Sequence, residues 1–127
     1  MTYLWIGLGS ALGGMGRYWF SEAFARAYGE AFPWGTIFVN VSGSLAIGAL
    51  ATALGPEGKL LASSDIRVFL MIGICGGYTT FSSFSLQTLN LLRDGHWLGA
   101  GANIMLSVIL CVMAVWIGYV GATALSR

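Results

Sequence analysis

The sequence predicts an all-α integral membrane protein with four transmembrane helices, from its composition, its charge placement and the length of its apolar stretches. Of the 127 residues, 57% are hydrophobic and 9% are charged, whereas about 25% of residues are charged in a typical soluble domain. The charged residues occur in short groups, and the apolar stretches between them reach the roughly 20 residues of a membrane-spanning helix. Four such helices fill most of the chain, so we expect one transmembrane domain, residues 1–127.

The same numbers exclude several classes of protein. A net charge of +1 offers no electrostatic surface for nucleic acid, so no nucleic-acid partner is expected. Cys75 and Cys111 both lie in apolar stretches and are too few for a disulfide framework or a zinc site. We expect them to be free thiols in the interior. The single histidine, His96, lies in a predicted connector, and neither cysteine has an acid–base partner nearby, so an enzyme is not expected.

The first crossing is predicted at residues 3–20, with an amphipathic continuation through residue 27. No basic segment precedes it, so it is interpreted as a retained helix and not as a cleaved signal peptide. Gly9 and Gly13 have the spacing that allows helix backbones to approach closely in lipid. The second crossing, residues 34–54, follows Pro33, which suits a helix start, and ends at Gly55-Pro56. Residues 57–67 form the longest polar connector.

The third crossing, residues 68–92, is predicted to break in mid-membrane. Gly76 and Gly77 are followed by a segment rich in hydroxyl side chains, residues 78–85. A glycine costs a helix interior about 1 kcal/mol relative to alanine, and a broken helix persists only where it is buried or lines a cavity. A simple packing kink is the alternative. The fourth crossing, residues 97–124, follows a tight turn at residues 93–96.

The basic residues show no preference for one side of the membrane. Four crossings place three of them on each side: Lys59, Arg67 and Arg127 against Arg17, Arg26 and Arg93. A protein with one fixed orientation usually shows a bias. The equal division predicts that copies insert in both orientations and pair as an antiparallel homodimer. A single orientation with a weak signal is the alternative.

Three stripes of polar residues run along the predicted crossings. Their members lie about one helical turn apart and therefore share a face. The stripes are Thr36, Asn40 and Ser44; Thr79, Ser83 and Gln87; and Asn103, Ser107 and Cys111. Polar groups inside a membrane are expensive and are candidates for function, so the stripes could line one narrow route. The alternative is hydrogen bonding between helices.

The residues along this route suit a small anion or a polar solute. All five acidic residues lie at predicted helix ends or in connectors, while amide and hydroxyl groups can donate to an anion. Phe81 and Phe84 lie three residues apart, and the positive edge of an aromatic ring can face an anion. Arg17 supplies positive potential at one end of the predicted route. The alternatives are ordinary packing for the phenylalanines and contact with lipid headgroups for Arg17.

These residues resemble a known family, the Fluc (CrcB) fluoride channels of bacteria. The most specific part is the segment Gly-Gly-Tyr-Thr-Thr-Phe-Ser-Ser-Phe-Ser at residues 76–85. It is joined by Pro-Trp-Gly-Thr at residues 33–36, with Asn40 and Gly43-Ser44 after it, and by Gly-Gly-Met-Gly-Arg-Tyr at residues 13–18. The resemblance extends over the whole chain, including its length and four-crossing layout.

The resemblance implies a passive, fluoride-selective channel in the bacterial inner membrane that exports fluoride and relieves its toxicity. It implies an antiparallel, dual-topology homodimer with two pores and a structural Na⁺ at its centre, held by the backbone carbonyls of Gly76 and Thr79. The fluoride pathway then includes Asn40, Phe81, Phe84, Ser82, Ser83 and Ser107, and the polar stripes add Thr36, Ser44 and Asn103. Two residues depart from the family pattern: Asn103 replaces a Tyr of some members, and Gln87 replaces a Glu of many.

Two other functions remain open at this stage. A small dual-topology multidrug exporter would normally have an acidic residue buried in the first crossing, and residues 3–20 contain none. A non-transporting membrane assembly subunit would use the polar stripes only to join its helices.

Overall fold

The computed structural model describes residues 1–56, 58, 60 and 62–126, and these residues form helices and connectors without a strand. Lys59 and Arg127, which entered the charge count, lie outside the described residues. The elements in chain order are α1 (Thr2–Tyr28), α2 (Trp34–Ala53), α3 (Ser64–Arg67), a π-helical segment (Val68–Cys75), α4 (Gly76–Tyr78), α5 (Phe81–Arg93) and α6 (Trp97–Leu125).

Three helical stretches of the described chain are long and apolar enough to cross a membrane. They are Trp34–Ala53, Ser64–Arg93 and Trp97–Leu125, with 20, 30 and 29 residues. This confirms the all-helical, multi-pass membrane architecture. Helix α1 has 27 residues, and it continues past residue 20 through the amphipathic segment that carries Glu22 and Arg26. Its role as a fourth crossing stays a prediction.

Glycines allow the helices to pack with their backbones in contact. On α2 and α6, a Cβ at Gly48 would overlap the Val115 carbonyl, and a Cβ at Gly118 would overlap the Leu45 carbonyl. Two helices that each carry a glycine where they touch can approach more closely than larger side chains allow. Helix α2 is therefore tightly packed against α6.

Helix α1 packs in the same way against the third crossing. A Cβ at Gly9 would lie 2.7 Å from Cα of Gly73, and a Cβ at Gly13 would overlap the Ile74 carbonyl. From the opposite side, a Cβ at Gly77 would lie 2.6 Å from the Ser10 carbonyl oxygen. The close approach predicted at Gly9 and Gly13 is present, and Gly77 belongs to the same contact.

The third crossing does break, within the segment in which a break was predicted. Gly76 keeps helical torsions (φ −64°, ψ −39°), and the helix ends at Tyr78. Thr79 (φ −81°, ψ 155°) and Thr80 (φ −150°, ψ 117°) are the extended residues. The break therefore lies directly after the helical turn of Gly76 and Gly77, among the hydroxyl-rich residues that follow the glycine pair. Threonine side chains can replace the lost backbone hydrogen bonds, whereas Gly77 is needed for the contact with α1.

Candidate functional site

The break between α4 and α5 is closed by a side chain from α2. The Asn40 Nδ2 donates to the Thr80 carbonyl at 2.9 Å, and the Thr80 N–H donates to Asn40 Oδ1 at 2.7 Å. In an uninterrupted helix the Thr80 N–H would instead bond the Gly76 carbonyl four residues earlier. The Asn40 carboxamide thus replaces one peptide group of the helix and satisfies both backbone groups of Thr80.

The two residues before Thr80 are held by other neighbours. The Arg17 Nη1 on α1 donates to the Thr79 carbonyl at 3.4 Å, so the half-buried guanidinium lies at the break. The Tyr78 hydroxyl lies 2.9 Å from Ser42 Oγ on α2. Three consecutive residues of the break are therefore each attached to α1 or α2, and the extended segment is held in place.

Thr80 also begins α5, a role that the sequence-based interpretation missed. Its Oγ1 accepts from the Ser83 N–H at 3.2 Å, donates to Ser83 Oγ at 3.1 Å and lies 3.3 Å from Ser82 Oγ. A threonine three residues before a serine, at the start of a helix, is an ordinary N-cap pattern. That pattern could have identified both the helix start and the position of the break.

A cavity of about 390 Å³ adjoins the break, and we call it the break cavity. It collects polar and aromatic groups from α2, the third crossing and α6. Seven of the predicted site residues line it: Asn40, Ser44, Gly76, Thr79, Phe81, Phe84 and Ser107. Thr80 and Cys111 line it as well. Every residue that lines this cavity in the described part of the chain is uncharged.

The two phenylalanines have different environments. Their ring centroids lie 5.2 Å apart, with a 53° angle between the ring planes. Phe84 is buried, with 9% of its surface exposed, whereas 77% of Phe81 is exposed in a single chain. Phe84 therefore forms part of the cavity wall, and Phe81 extends from its rim to the surface.

The remaining predicted residues lie elsewhere. Thr36 lines a second, more open cavity of about 920 Å³ between the end of α1, the α1–α2 connector and the turn before α6. Glu22, Glu30 and Asp94 lie around this second cavity, as does Gln87, whose buried Oε1 accepts no hydrogen bond from the described residues. Ser82, Ser83, Asn103 and Arg17 are not among the lining residues of either cavity.

Asn103 belongs instead to a buried chain of hydrogen bonds between α6 and α5. The Ser107 Oγ donates to Asn103 Oδ1 at 3.3 Å, and Asn103 Nδ2 donates to Thr88 Oγ1 at 2.9 Å. The Thr88 hydroxyl then donates to the Phe84 carbonyl at 2.8 Å. We call these three side chains the Ser107–Asn103–Thr88 relay. It joins two lining residues of the break cavity, Ser107 and Phe84, through a carboxamide that the cavity does not reach.

The family described as CrcB-like protein, Camphor Resistance (CrcB), matches residues 4–119 of the chain. The chain belongs to the CrcB-like family. Its relatives include a protein of Rhodospirillum rubrum named fluoride-specific ion channel FluC, which is 54% identical over 127 residues, with 100% of this chain and 98% of the relative covered. A protein of the same name from Opitutus terrae is 56% identical over 124 residues, with 98% and 94% covered. The family resemblance stated from the motifs is thereby confirmed.

In this CrcB-like chain the break also has the donor set of a site for an alkali cation. Because Asn40 takes the Thr80 N–H, the Gly76 carbonyl loses the partner that a continuous helix would give it. Carbonyls at the end of an interrupted helix are hard oxygen ligands that coordinate Na⁺ in membrane proteins. The described residues contain no group of three or more His, Cys, Asp or Glu side chains that could hold a metal ion. The Gly76 carbonyl therefore suits the predicted Na⁺ site, whereas the Thr79 carbonyl already accepts from Arg17 and has one lone pair left. Sodium binding stays a prediction.

Proposed function

We propose that this protein is a fluoride-selective ion channel that lets fluoride leave the cell passively and so relieves fluoride toxicity. Relatives that are 54% and 56% identical over nearly their whole length carry the name fluoride-specific ion channel, which denotes a transport protein and not an enzyme. Within the chain, the observation that supports the proposal best is the uncharged break cavity beside an interrupted transmembrane helix.

The groups around the break cavity suit an ion that must enter and leave quickly. A full positive charge in the cavity would hold an anion tightly, whereas conduction requires weaker binding at several positions. The Asn40 nitrogen carries two protons, one of which is given to the Thr80 carbonyl, and the second can meet the ion. The ring edges of Phe81 and Phe84 add weak positive potential.

The pathway that we propose retains the predicted residues in different positions, except Asn103, which lies behind Ser107 and lines neither cavity. Asn40, Ser44, Phe81, Phe84 and Ser107 meet the ion in the break cavity. Thr36 belongs to the second cavity, while Ser82 and Ser83 act beside Thr80 at the start of α5. Arg17 supplies positive charge at the break through its contact with the Thr79 carbonyl.

We infer that the functional unit is an antiparallel, dual-topology homodimer in the bacterial inner membrane, with α1 as its fourth crossing. The equal division of the basic residues supports insertion in both orientations. The exposure of 77% of the Phe81 surface in one chain, at the rim of the uncharged break cavity, supports a second copy as the missing wall. A Na⁺ between the two breaks would bind the Gly76 and Thr79 carbonyls and hold the two third crossings together.

The proposed function is tested by ion efflux from vesicles that contain only this protein. A fluoride channel releases fluoride rapidly once a potassium ionophore balances the charge, and releases chloride hardly at all. Vesicles prepared without protein are the control for leakage. If fluoride leaves both preparations at the same rate, the proposal is wrong.

A further inference from the structure

The Ser107–Asn103–Thr88 relay runs in one direction, and this direction determines what Ser107 offers to the break cavity. Each hydrogen bond is donated in the same direction along the relay: from Ser107 to Asn103, from Asn103 to Thr88, and from Thr88 to the Phe84 carbonyl. A hydroxyl has one proton and two lone pairs. While its proton is given to Asn103, Ser107 can present only lone pairs to the cavity, and lone pairs do not bind an anion.

The carboxamide of Asn103 has a second arrangement with the same neighbours. Rotation of the amide by 180° exchanges its oxygen and nitrogen, which occupy nearly the same volume. The nitrogen then donates to Ser107 Oγ, and the Thr88 hydroxyl turns from the Phe84 carbonyl to the Asn103 oxygen. The Ser107 proton is released toward the cavity. No helix has to move, because Thr88 and Ser107 remain hydrogen-bonded to Asn103 in both arrangements.

We propose that Asn103 is a positioning residue that sets whether Ser107 meets the break cavity as an acceptor or as a donor. This inference rests on the proposed function, because it assigns the break cavity to fluoride. Asn103 has 0% of its surface exposed and does not line the cavity, so it acts only through Ser107. An anion in the cavity favours the rotated amide, and an empty or water-filled cavity favours the arrangement in the structure.

Burial makes the two arrangements discrete. Asn103 and Thr88 are buried and do not line the cavity, so water cannot supply a missing partner to the amide, and a buried polar group without a partner is costly. The amide must therefore bond both neighbours with the oxygen toward one and the nitrogen toward the other. Intermediate orientations lose both hydrogen bonds, and the hydroxyl of Ser107 consequently switches between two states.

The test is a double-substitution cycle on fluoride efflux from vesicles. Ser107→Ala is expected to slow efflux about threefold to tenfold, the value of about one hydrogen bond, because it removes the donor. Asn103→Leu is expected to raise efflux by up to a similar factor, because it removes the acceptor that holds the Ser107 proton. The double variant is expected to match Ser107→Ala, because Asn103 acts only through Ser107. An effect of Asn103→Leu that persists in the Ser107→Ala background would overturn the proposal. If Asn103→Leu does not fold, Asn103→Ala repeats the cycle with a smaller side chain.

Thr123→Val is the matched control on the same helix. It removes a hydroxyl that donates to the Tyr119 carbonyl near the end of α6 and leaves the relay intact. Efflux within about twofold of the wild type is expected. If Thr123→Val changes efflux as much as Asn103→Leu, the effect of Asn103→Leu does not depend on the relay, and the positioning role is wrong.

A second readout separates this inference from the proposed function. The side-chain amide of Asn103, observed by ¹⁵N nuclear magnetic resonance in the detergent-solubilised protein, should shift when Ser107 is replaced by alanine. It should also shift on addition of sodium fluoride, and not with sodium chloride at equal concentration. Wild-type vesicles without fluoride efflux would refute the proposed function, whereas an amide signal unaffected by Ser107→Ala would overturn the relay.

Discussion

Asn40 and Thr80, forty residues apart in the chain, share two hydrogen bonds that span the interruption of the third crossing. Asn40 Nδ2 lies 2.9 Å from the Thr80 carbonyl oxygen, and Asn40 Oδ1 lies 2.7 Å from the Thr80 nitrogen. A helix broken inside a membrane leaves backbone groups that lipid cannot satisfy. The Asn40 carboxamide supplies a donor and an acceptor in the arrangement of a peptide group, and so makes the break compatible with burial.

Replacement of Asn40 should damage both stability and conduction. Asn40→Leu leaves the Thr80 N–H and carbonyl without these partners, and we expect a loss of about 1–3 kcal/mol in the free energy of unfolding. Thermal unfolding in detergent measures this loss. Asn40→Asp keeps one acceptor but adds a negative charge beside the break cavity, so fluoride efflux should fall strongly. Asn90→Leu, the same change at an exposed site on α5, is the control. Equal behaviour of Asn40→Leu and Asn90→Leu would contradict the bridging role.

Two glycines with different surroundings predict opposite effects of substitution by alanine: Gly77, in the contact between α1 and the third crossing, and Gly14, on an open side of α1. Gly77→Ala places a Cβ against the backbone of Ser10 and should separate the two helices, with lower thermal stability and lower fluoride efflux. Gly14→Ala meets open space and should stabilise α1 by roughly 0.5–1 kcal/mol, since alanine restricts the unfolded chain. A Gly77→Ala protein as stable as Gly14→Ala would show that the close approach is not required.

The phenylalanines are predicted to act through their rings and not through their volume. Phe81→Ile and Phe84→Ile remove the aromatic edge but retain a large apolar side chain. Each variant should therefore remain a dimer in size-exclusion chromatography, while fluoride efflux from vesicles falls at least tenfold. Leu86→Ile, on the exposed side of α5, should conduct like the wild type. Wild-type efflux from both phenylalanine variants would assign the rings to packing alone.

Insertion in both orientations predicts that a reporter behaves equally on the two sides of the membrane. A reporter fused to the C-terminus should be detected in comparable amounts in the cytoplasm and the periplasm. Arg93→Gln removes one positive charge from one side, three against two instead of three against three, and should shift the population toward one orientation. A C-terminus found on a single side in the wild-type protein would rule out dual topology.

Bound sodium predicts a specific effect of Na⁺ on the stability of the dimer. A ligand that binds only the folded assembly raises its melting temperature with increasing concentration. We expect the solubilised protein to melt at a higher temperature in sodium chloride than in choline chloride of the same ionic strength. Gly76→Pro, which distorts the carbonyl segment, should remove the difference. Equal melting temperatures of the wild-type protein in the two salts would contradict the sodium site.

The helices were largely predictable, because their signals are local. The second crossing was predicted at residues 34–54 and is observed as Trp34–Ala53, with Pro33 before it and Gly55-Pro56 after it. The fourth was predicted at residues 97–124 and is observed as Trp97–Leu125. The first was predicted at residues 3–20 with an amphipathic continuation through residue 27, and the helix is observed as Thr2–Tyr28.

The break was predicted in the right segment but not to the residue, because glycine has two roles in a membrane helix. Gly76 and Gly77 were part of the reason to expect a break, since glycine weakens a helix. In the structure both belong to helix α4, and Gly77 makes room for Ser10. The break lies at Thr79 and Thr80, where Asn40 and the threonine hydroxyls satisfy the backbone.

Composition and periodicity were enough to assign the chain to a membrane, to locate its helices and to find the polar residues that share a helical face. Which of these residues meet depends on the packing of the helices. Asn40 and Ser107 line one cavity, and Thr36 lines another. Asn103 lines neither cavity and bonds Thr88 instead. The reason is physical: periodicity relates residues to the axis of their own helix, whereas the rotation and depth of one helix against the next depend on backbone contacts at glycines distant in the chain.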